Sequence, residues 1–175
     1  MRGGGLLRTG LRLLLRAAAP PAPPPDAPPG TPPAPDRNAH GDYAGDETGP
    51  VRTQYAPHLD GDPDPGEVVW AWVPYEEDHA RGKDRPVLVV ARDGSHLLAL
   101  MLTSKDHDRD AAQEALAGRH WVDVGSGAWD RQGRPSEVRV DRVLRLDPSA
   151  VRREGAVLDR ARFERVAAEV VRVRG

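Results

Sequence analysis

Ten of the chain's 18 prolines fall between Pro20 and Pro35, in the run APPAPPPDAPPGTPPAP. Proline fixes its own backbone torsion and carries no amide hydrogen, so this density rules out a helix or a sheet ladder. An extended, solvated polyproline II spacer is what such a segment can form. From Asp36 to Asp64 the chain stays poor in apolar residues and rich in Asp, Gly and Pro. Residues 1–60 therefore read as a disordered tail and Pro-rich linker, and residues 61–175 as the folded domain. A domain of about 115 residues can bury one small core.

The first residues read differently. Arg8, Arg12 and Arg16 stand four apart, and Leu7, Leu11, Leu14 and Leu15 fill other faces of the same helical turn sequence. A basic amphipathic segment suits an anionic membrane surface or a transit peptide. Arg12 and Arg16 interrupt the apolar stretch, which weighs against a secretory signal. Upstream coding sequence of an Arg/Ala/Pro/Gly-rich genome, or an over-extended start site, is the favoured reading of the segment. Membrane contact of this basic segment stays open, and no function is assigned to it. No run of 18 apolar residues exists, so a spanning helix is not expected, and the expected location is cytoplasmic.

The chain has no cysteine, which excludes a disulfide framework, a thiolate metal site and thiol catalysis. Its 25 Lys and Arg nearly cancel its 27 Asp and Glu, but the balance is uneven. Asp60 to Asp130 holds 15 acids against 7 bases, whereas Arg131 to Gly175 holds 12 arginines against 7 acids. A basic face can take a polyanion despite an acidic total. Arg139, Arg142 and Arg145 include both faces of a strand, so alternation alone does not gather them into one patch.

Beyond the linker the pattern becomes that of short strands. Glu67 to Val73 is rich in β-branched and aromatic residues and stops at Pro74. Pro86 to Ala91 is almost continuously apolar and predicts a strand buried on both faces. Asp93-Gly94 predicts a tight turn, with His96 to Thr103 returning as its hairpin partner. Asp108 to Leu116 predicts a short helix, and His120 to Val124 and Glu137 to Leu146 two further strands. Asp159 is a suitable N-cap for a last helix through Val171, with Phe163, Val166, Ala167 and Val170 on one face. The expected fold is mainly β with a C-terminal helix, as a small barrel.

Three clusters are chemically suggestive. Asp60, Asp62 and Asp64 have the spacing that opens a calcium loop, but Pro65 stands where the loop requires glycine and Ala71 where it requires glutamate. Lys105 to Asp110 sets His107 among carboxylates, a pattern compatible with a metal ligand or general base, and equally with a solvated loop. The third is Gly82 to Pro86 together with Leu102 to Lys105. Pro86 biases Arg85 toward an extended conformation at a strand end, and the hairpin returns Thr103 and Ser104 toward it. A guanidinium beside a hydroxyl suits a phosphate; a structural ion pair of Arg85 with Asp84 or Asp106 is the plainer alternative.

At these residues the chain resembles the MazF/PemK toxins, the ribonuclease half of bacterial type II toxin–antitoxin pairs. PGEVVWAWVP is similar to the family's opening strand and GKDRPVLVV to its Arg-Pro-apolar strand. LALMLTS is similar to the strand that ends in the family's catalytic hydroxyl, and PSEVRVDRVLRLDPSAV to its late strand pair. The resemblance runs from about residue 65 to 163. It implies an SH3-like small barrel, usually a homodimer, that cuts single-stranded RNA with neither metal nor cofactor and is bound by a cognate antitoxin.

Carried over residue by residue, the resemblance makes Arg85 and Thr103 catalytic. The 2′-hydroxyl would attack the neighbouring phosphate and leave a 2′,3′-cyclic phosphate, with Arg85 stabilising the phosphoryl charge and Thr103 donating a hydrogen bond. Lys83, Ser104, Lys105, His107, Trp129, Arg131 and Arg134 are the expected substrate-binding residues, Trp129 stacking an unpaired base or else filling the core. His107 or His79 is the expected proton carrier. Two segments depart from the family pattern. Tyr75 to Asp84 brings Glu76, Glu77, Asp78 and Asp84 where RNA would approach, and GSGAWDRQGRP is an insertion. An inactive barrel that binds nucleic acid, RNA or DNA, or a protein is the alternative function, and an acidic surface around Arg85 would favour it.

Overall fold

A computed structural model describes residues 43–58, 60–107 and 111–175. The N-terminal basic segment, the proline run and Asp108 to Asp110 lie outside the described residues. Among the described residues eight strands and two α-helices follow in order: β1 (Asp46–Glu47), β2 (Glu67–Pro74), β3 (Gly82–Asp93), β4 (His96–Thr103), α1 (Ala111–Leu116), β5 (Trp121–Gly125), β6 (Ser136–Arg139), β7 (Val143–Leu146), β8 (Arg152–Val157) and α2 (Arg160–Arg174), with a 3-10 turn at Pro148–Ala150 between β7 and β8. Every strand pairing is antiparallel. The domain is mainly β with a C-terminal helix.

The central hairpin follows from local chemistry. Asp93 pairs with His96 across a two-residue turn in which Gly94 has φ +58°, a conformation glycine adopts without cost. Along β3 successive residues enter opposite apolar clusters. Leu88 and Val90 join Val68, Leu100 and Leu102 under α2, while Val87 and Val89 join Val69, Ala71, Leu97 and Leu144 on the other face. That is why the run from Pro86 to Ala91 carries no polar alternation. Asp159 caps α2 by accepting from the Arg162 amide at 3.0 Å, and Phe163, Val166 and Val170 are the helix's buried face.

The expected single strand from Glu137 to Leu146 is two. Both halves use one edge of β4: Val138 and Glu137 pair with Leu102 and Thr103, and Leu144 to Leu146 with Ala99 to Leu97. The six steps from Val138 to Leu144 thus match three on β4, from Leu102 to Ala99, and the surplus, Val140 to Arg142, leaves the ladder. The His120 amide closes the bend by donating to Asp141 (2.7 Å), and the Val140 amide donates to the His120 carbonyl (2.9 Å). β8 was not foreseen either. It pairs with β2 through a bulge, and only its ends register with Glu67, Val68 and Trp70.

Residues 43–58, read from composition as linker, lie along the sheet. β1 pairs with β7, and Val51 is buried in the cluster under α2. The Tyr55 hydroxyl donates to the Leu158 carbonyl (2.9 Å), and its ring lies 5.1 Å from that of Phe163. Gly66, at φ +105°, backs onto that tyrosine, and a Cβ there would meet the ring at 2.9 Å. These contacts involve few apolar residues, so composition alone gave no sign of them. The Arg142 guanidinium, 5% exposed, ties the strap to the barrel through Asp46 (3.0 Å) and the Pro74 carbonyl (2.9 Å).

Removing Asp46 leaves a buried cation with no carboxylate, held by the Pro74 carbonyl and the Tyr43 hydroxyl. Asp46→Ala is expected to lower the unfolding free energy by about 3 kcal/mol. A chain beginning at residue 61, lacking Val51 and Tyr55 as well, should fall further. Urea unfolding of the three chains checks this; coincident midpoints would show that the strap does not unfold with the sheet.

Candidate active site

The sheet register builds the floor of a cleft. Trp70 lies on β2 between Pro86 of β3 and Arg152 of β8, and Leu102 follows on β4. With these residues as floor the cleft encloses about 740 Å³. One wall is the strand ends, with Asp84 and Arg85 from β3 and Thr103 and Ser104 from the end of β4. The other is the segment from Ala128 to Arg134.

The hairpin brings Arg85 and Thr103 to the cleft. Val87 with Met101 is the last pair of that ladder, and Arg85 and Thr103, two residues beyond it on each strand, both line the cleft. The Arg85 side chain is half-buried and makes no hydrogen bond or ion pair among the described residues. The alternative ion pair with Asp84 does not form, since Asp84 pairs with Arg152 (3.0 Å). Thr103 Oγ1 accepts from the Lys105 amide at 3.1 Å, which leaves its hydroxyl hydrogen to donate to a ligand.

The insertion forms the far wall. Trp129 is 3% exposed, and its Nε1 donates to Ser136 Oγ (3.1 Å). The indole lies over Gly127, where a Cβ would fall 2.0 Å from the ring, so only glycine fits. Asp130 accepts from Arg134 Nε and from the Gln132 amide, each at 2.8 Å. The Arg134 bond, followed by the amide, holds the Asp130 carboxyl below its usual range. Four guanidiniums, of Arg85, Arg131, Arg134 and Arg152, thus line the cleft against the carboxylates of Asp84 and Asp130, both bound to arginines.

The acidic loop is also partly neutralised. Arg139 holds Glu76 through two bonds of 2.8 and 2.9 Å. Asp78 turns back on its own loop, accepting from the Ala80 amide (3.0 Å).

Of the residues expected to act, Arg85, Thr103, Ser104, Trp129, Arg131 and Arg134 line the cleft. Burial denies Trp129 an open face for a base. Lys83 and Lys105 are exposed and stand outside the lining. His107 is not in the cleft: it is 8% exposed, bonds Glu137 through Nδ1 at 2.7 Å and stacks on Trp121 with ring centroids 4.0 Å apart. His79 sits edge-on against Tyr43, also outside the lining. Neither imidazole stands ready to exchange a proton with a ligand there. The sequence reading missed Trp70 and Arg152. Alternation along β2 would have put Trp70 on the Leu88 side of the sheet; Arg152 sits in a strand that composition did not reveal.

Among the described residues no three His, Cys, Asp or Glu side chains gather as metal ligands. Asp60 accepts from the Asp62 amide and Asp64 pairs with Arg92. No helix of the described residues is long and apolar enough to cross a membrane.

Residues 64–173 match the family described as PemK-like, MazF-like toxin of type II toxin–antitoxin system. No curated protein matches the chain.

Trp121, on which His107 stacks, is tied in turn to Glu114. Arg119 donates to both Glu114 oxygens (2.6 and 3.1 Å) and Trp121 Nε1 to one of them (3.0 Å). These bonds, that of Arg119 foremost, hold the Glu114 carboxyl at about 2 instead of 4.5. A lowered carboxylate pKa stabilises fully above its unfolded value, and the contribution is lost as pH falls through the folded one. Wild type should therefore lose stability between about pH 5 and about pH 2 that Glu114→Gln does not lose. Parallel unfolding midpoints across that range would refute the assignment.

Proposed function

This chain belongs to the PemK-like, MazF-like toxin family of type II toxin–antitoxin systems, and from that premise we propose that its cleft cuts single-stranded RNA. The observation that carries the reading is the Arg85 guanidinium, without a hydrogen bond or ion pair among the described residues, lining together with Thr103 a cleft that has four arginines and two already paired carboxylates. Bound RNA places a phosphate between Arg85 and Thr103. The 2′-oxygen of the preceding ribose attacks phosphorus and loses its proton. The bond to the 5′-oxygen breaks, and that oxygen takes up a proton. The products are a 2′,3′-cyclic phosphate and a 5′-hydroxyl.

Arg85 acts electrostatically. Charge grows on the non-bridging oxygens as phosphorus becomes five-coordinate, and a guanidinium that no described residue engages stabilises that state more than the starting phosphate. Its very high pKa makes it a poor proton carrier. Thr103, its oxygen occupied by the Lys105 amide, donates its hydrogen to the same phosphate. Ser104, Arg131, Arg134 and Arg152 receive the flanking strand. With no histidine in the lining among the described residues, water carries the protons. The alternative, an inactive binding module, called for an acidic surround at Arg85; the lining has the opposite balance. A cognate antitoxin competing for the cleft and a homodimer belong to the same reading.

Cleavage of single-stranded RNA in EDTA is the test. Arg85→Ala and Thr103→Ala should each slow it about 10²- to 10³-fold with unfolding midpoints unchanged, and Thr103→Ser should restore most of the rate. Intact RNA with folded wild-type protein, or undiminished cutting by both alanine variants, would overturn the proposal. With water as carrier, the rate should rise with pH through the histidine range, with no inflection near about 6.5.

A further inference from the structure

We propose that Trp70 is the platform on which one nucleobase of the bound strand stacks, with the Arg152–Asp84 ion pair at its edge. The inference rests on the RNA reading above and names a residue that reading does not use.

Three of the four tryptophans are engaged by the fold. Trp121 donates its indole hydrogen to Glu114, and Trp129 donates to Ser136 from within the core. Trp72 also has a partner. Trp70 is half-buried and makes no hydrogen bond or ring contact among the described residues. A partly buried indole ordinarily finds an acceptor for its N–H, so an unengaged one on the floor of a cleft is a surface prepared for something else.

Its neighbours say what that is. In register, Trp70 lies between Pro86 and Arg152, and Arg152 bonds Asp84 at 3.0 Å. The floor therefore presents a flat aromatic next to a donor and an acceptor set side by side. Each nucleobase has a π-face and an edge that mixes donors and acceptors, which this trio complements. The cleft, at about 740 Å³, falls within the range of small-ligand sites, about 300–1,000 Å³. Its net positive lining favours a base attached to phosphates over an apolar side chain. With a phosphate on the rim at Arg85, an adjacent base can turn inward to the floor. Stacking of this kind discriminates little between bases, so any sequence preference falls to Asp84 and Arg152.

The experiment uses an RNA that the wild-type protein cuts, made uncleavable by a 2′-deoxy sugar at the cut, and a series in which one nucleotide at a time is abasic. Trp70→Leu should weaken binding of the intact strand about 5- to 100-fold, whereas Trp70→Phe should stay within about threefold. In wild type, a single abasic position should reproduce the leucine variant's loss. In Trp70→Leu the same abasic position should cost nothing more, while other positions keep their wild-type effects. Equal affinity of wild type and Trp70→Leu would overturn the inference and leave the RNA reading standing. A wild-type profile in which no abasic position costs affinity would do the same without relying on any variant that must fold. If an acidic peptide bound to the cleft loses affinity on Trp70→Leu while RNA does not, the platform serves a protein partner and the proposal fails. Wild type that neither binds nor cuts RNA would remove both readings together.

Discussion

Two buried guanidiniums organise the end of the domain at which the cleft lies. A charge taken out of water must be matched by partners at close range or it destabilises the fold. Arg139 is matched by Asp141 and Glu76, and Arg142 by Asp46 and the Pro74 carbonyl. Those partners lie on four separate pieces of chain: the strap before β2, the end of β2, the loop beyond it and the bend between β6 and β7. Satisfying two side chains therefore sets where all four pieces go. Glu76, which charge counting would place against an approaching phosphate, is drawn to Arg139 and away from the cleft lining.

The cleft occupies the end of one apolar cluster. Under α2 the sheet is covered by Phe163, Val166 and Val170, and the coverage continues to Trp129 in the inserted segment. Where that cover stops, the same row of strand positions continues as Trp70, Pro86 and Leu102, and the cluster opens to solvent as a floor. Strand ends are suited to such work. Their last residues no longer need to pack, yet the ladder behind them holds their backbones still. Arg85 and Thr103 follow directly on apolar pairs deeper in the hairpin, Val87 with Met101 and Leu88 with Leu100, so the rigid core also holds the rim.

Electrostatic character is likewise assigned by pairing. The segment from Asp60 to Asp130 carries twice as many acids as bases, and by composition the floor of the site should repel RNA. In the folded domain Asp84 is bound by Arg152 and Asp130 by Arg134. Both arginines come from the basic C-terminal part, or from its border with the acidic one. The two halves of the charge imbalance are thus complementary surfaces of one cleft, with Arg85 left over for a ligand.

What the sequence by itself determined was local. The hairpin at Asp93-Gly94, the N-cap at Asp159, the face of α2 and the two-sided burial of β3 are written in residues within one or two turns of one another, where periodicity and turn chemistry act directly. The placing of Arg85 and Thr103 at one end of the sheet follows from the same hairpin, and the order of motifs carried the family. Tertiary structure decided the rest: the strap at residues 43–58, the pairing of β8, the break at Val140 to Arg142, the burial of Trp129 with Trp70 left open, and the removal of His107 into a stack with Trp121. Each depends on a partner far away in the chain. Arg142 meets Asp46 and Tyr55 meets Leu158 across separations that no window of sequence spans. Which of several similar side chains is buried, and which is left facing a cleft, is a competition for shared space and shared partners. It is resolved only when the whole chain has packed.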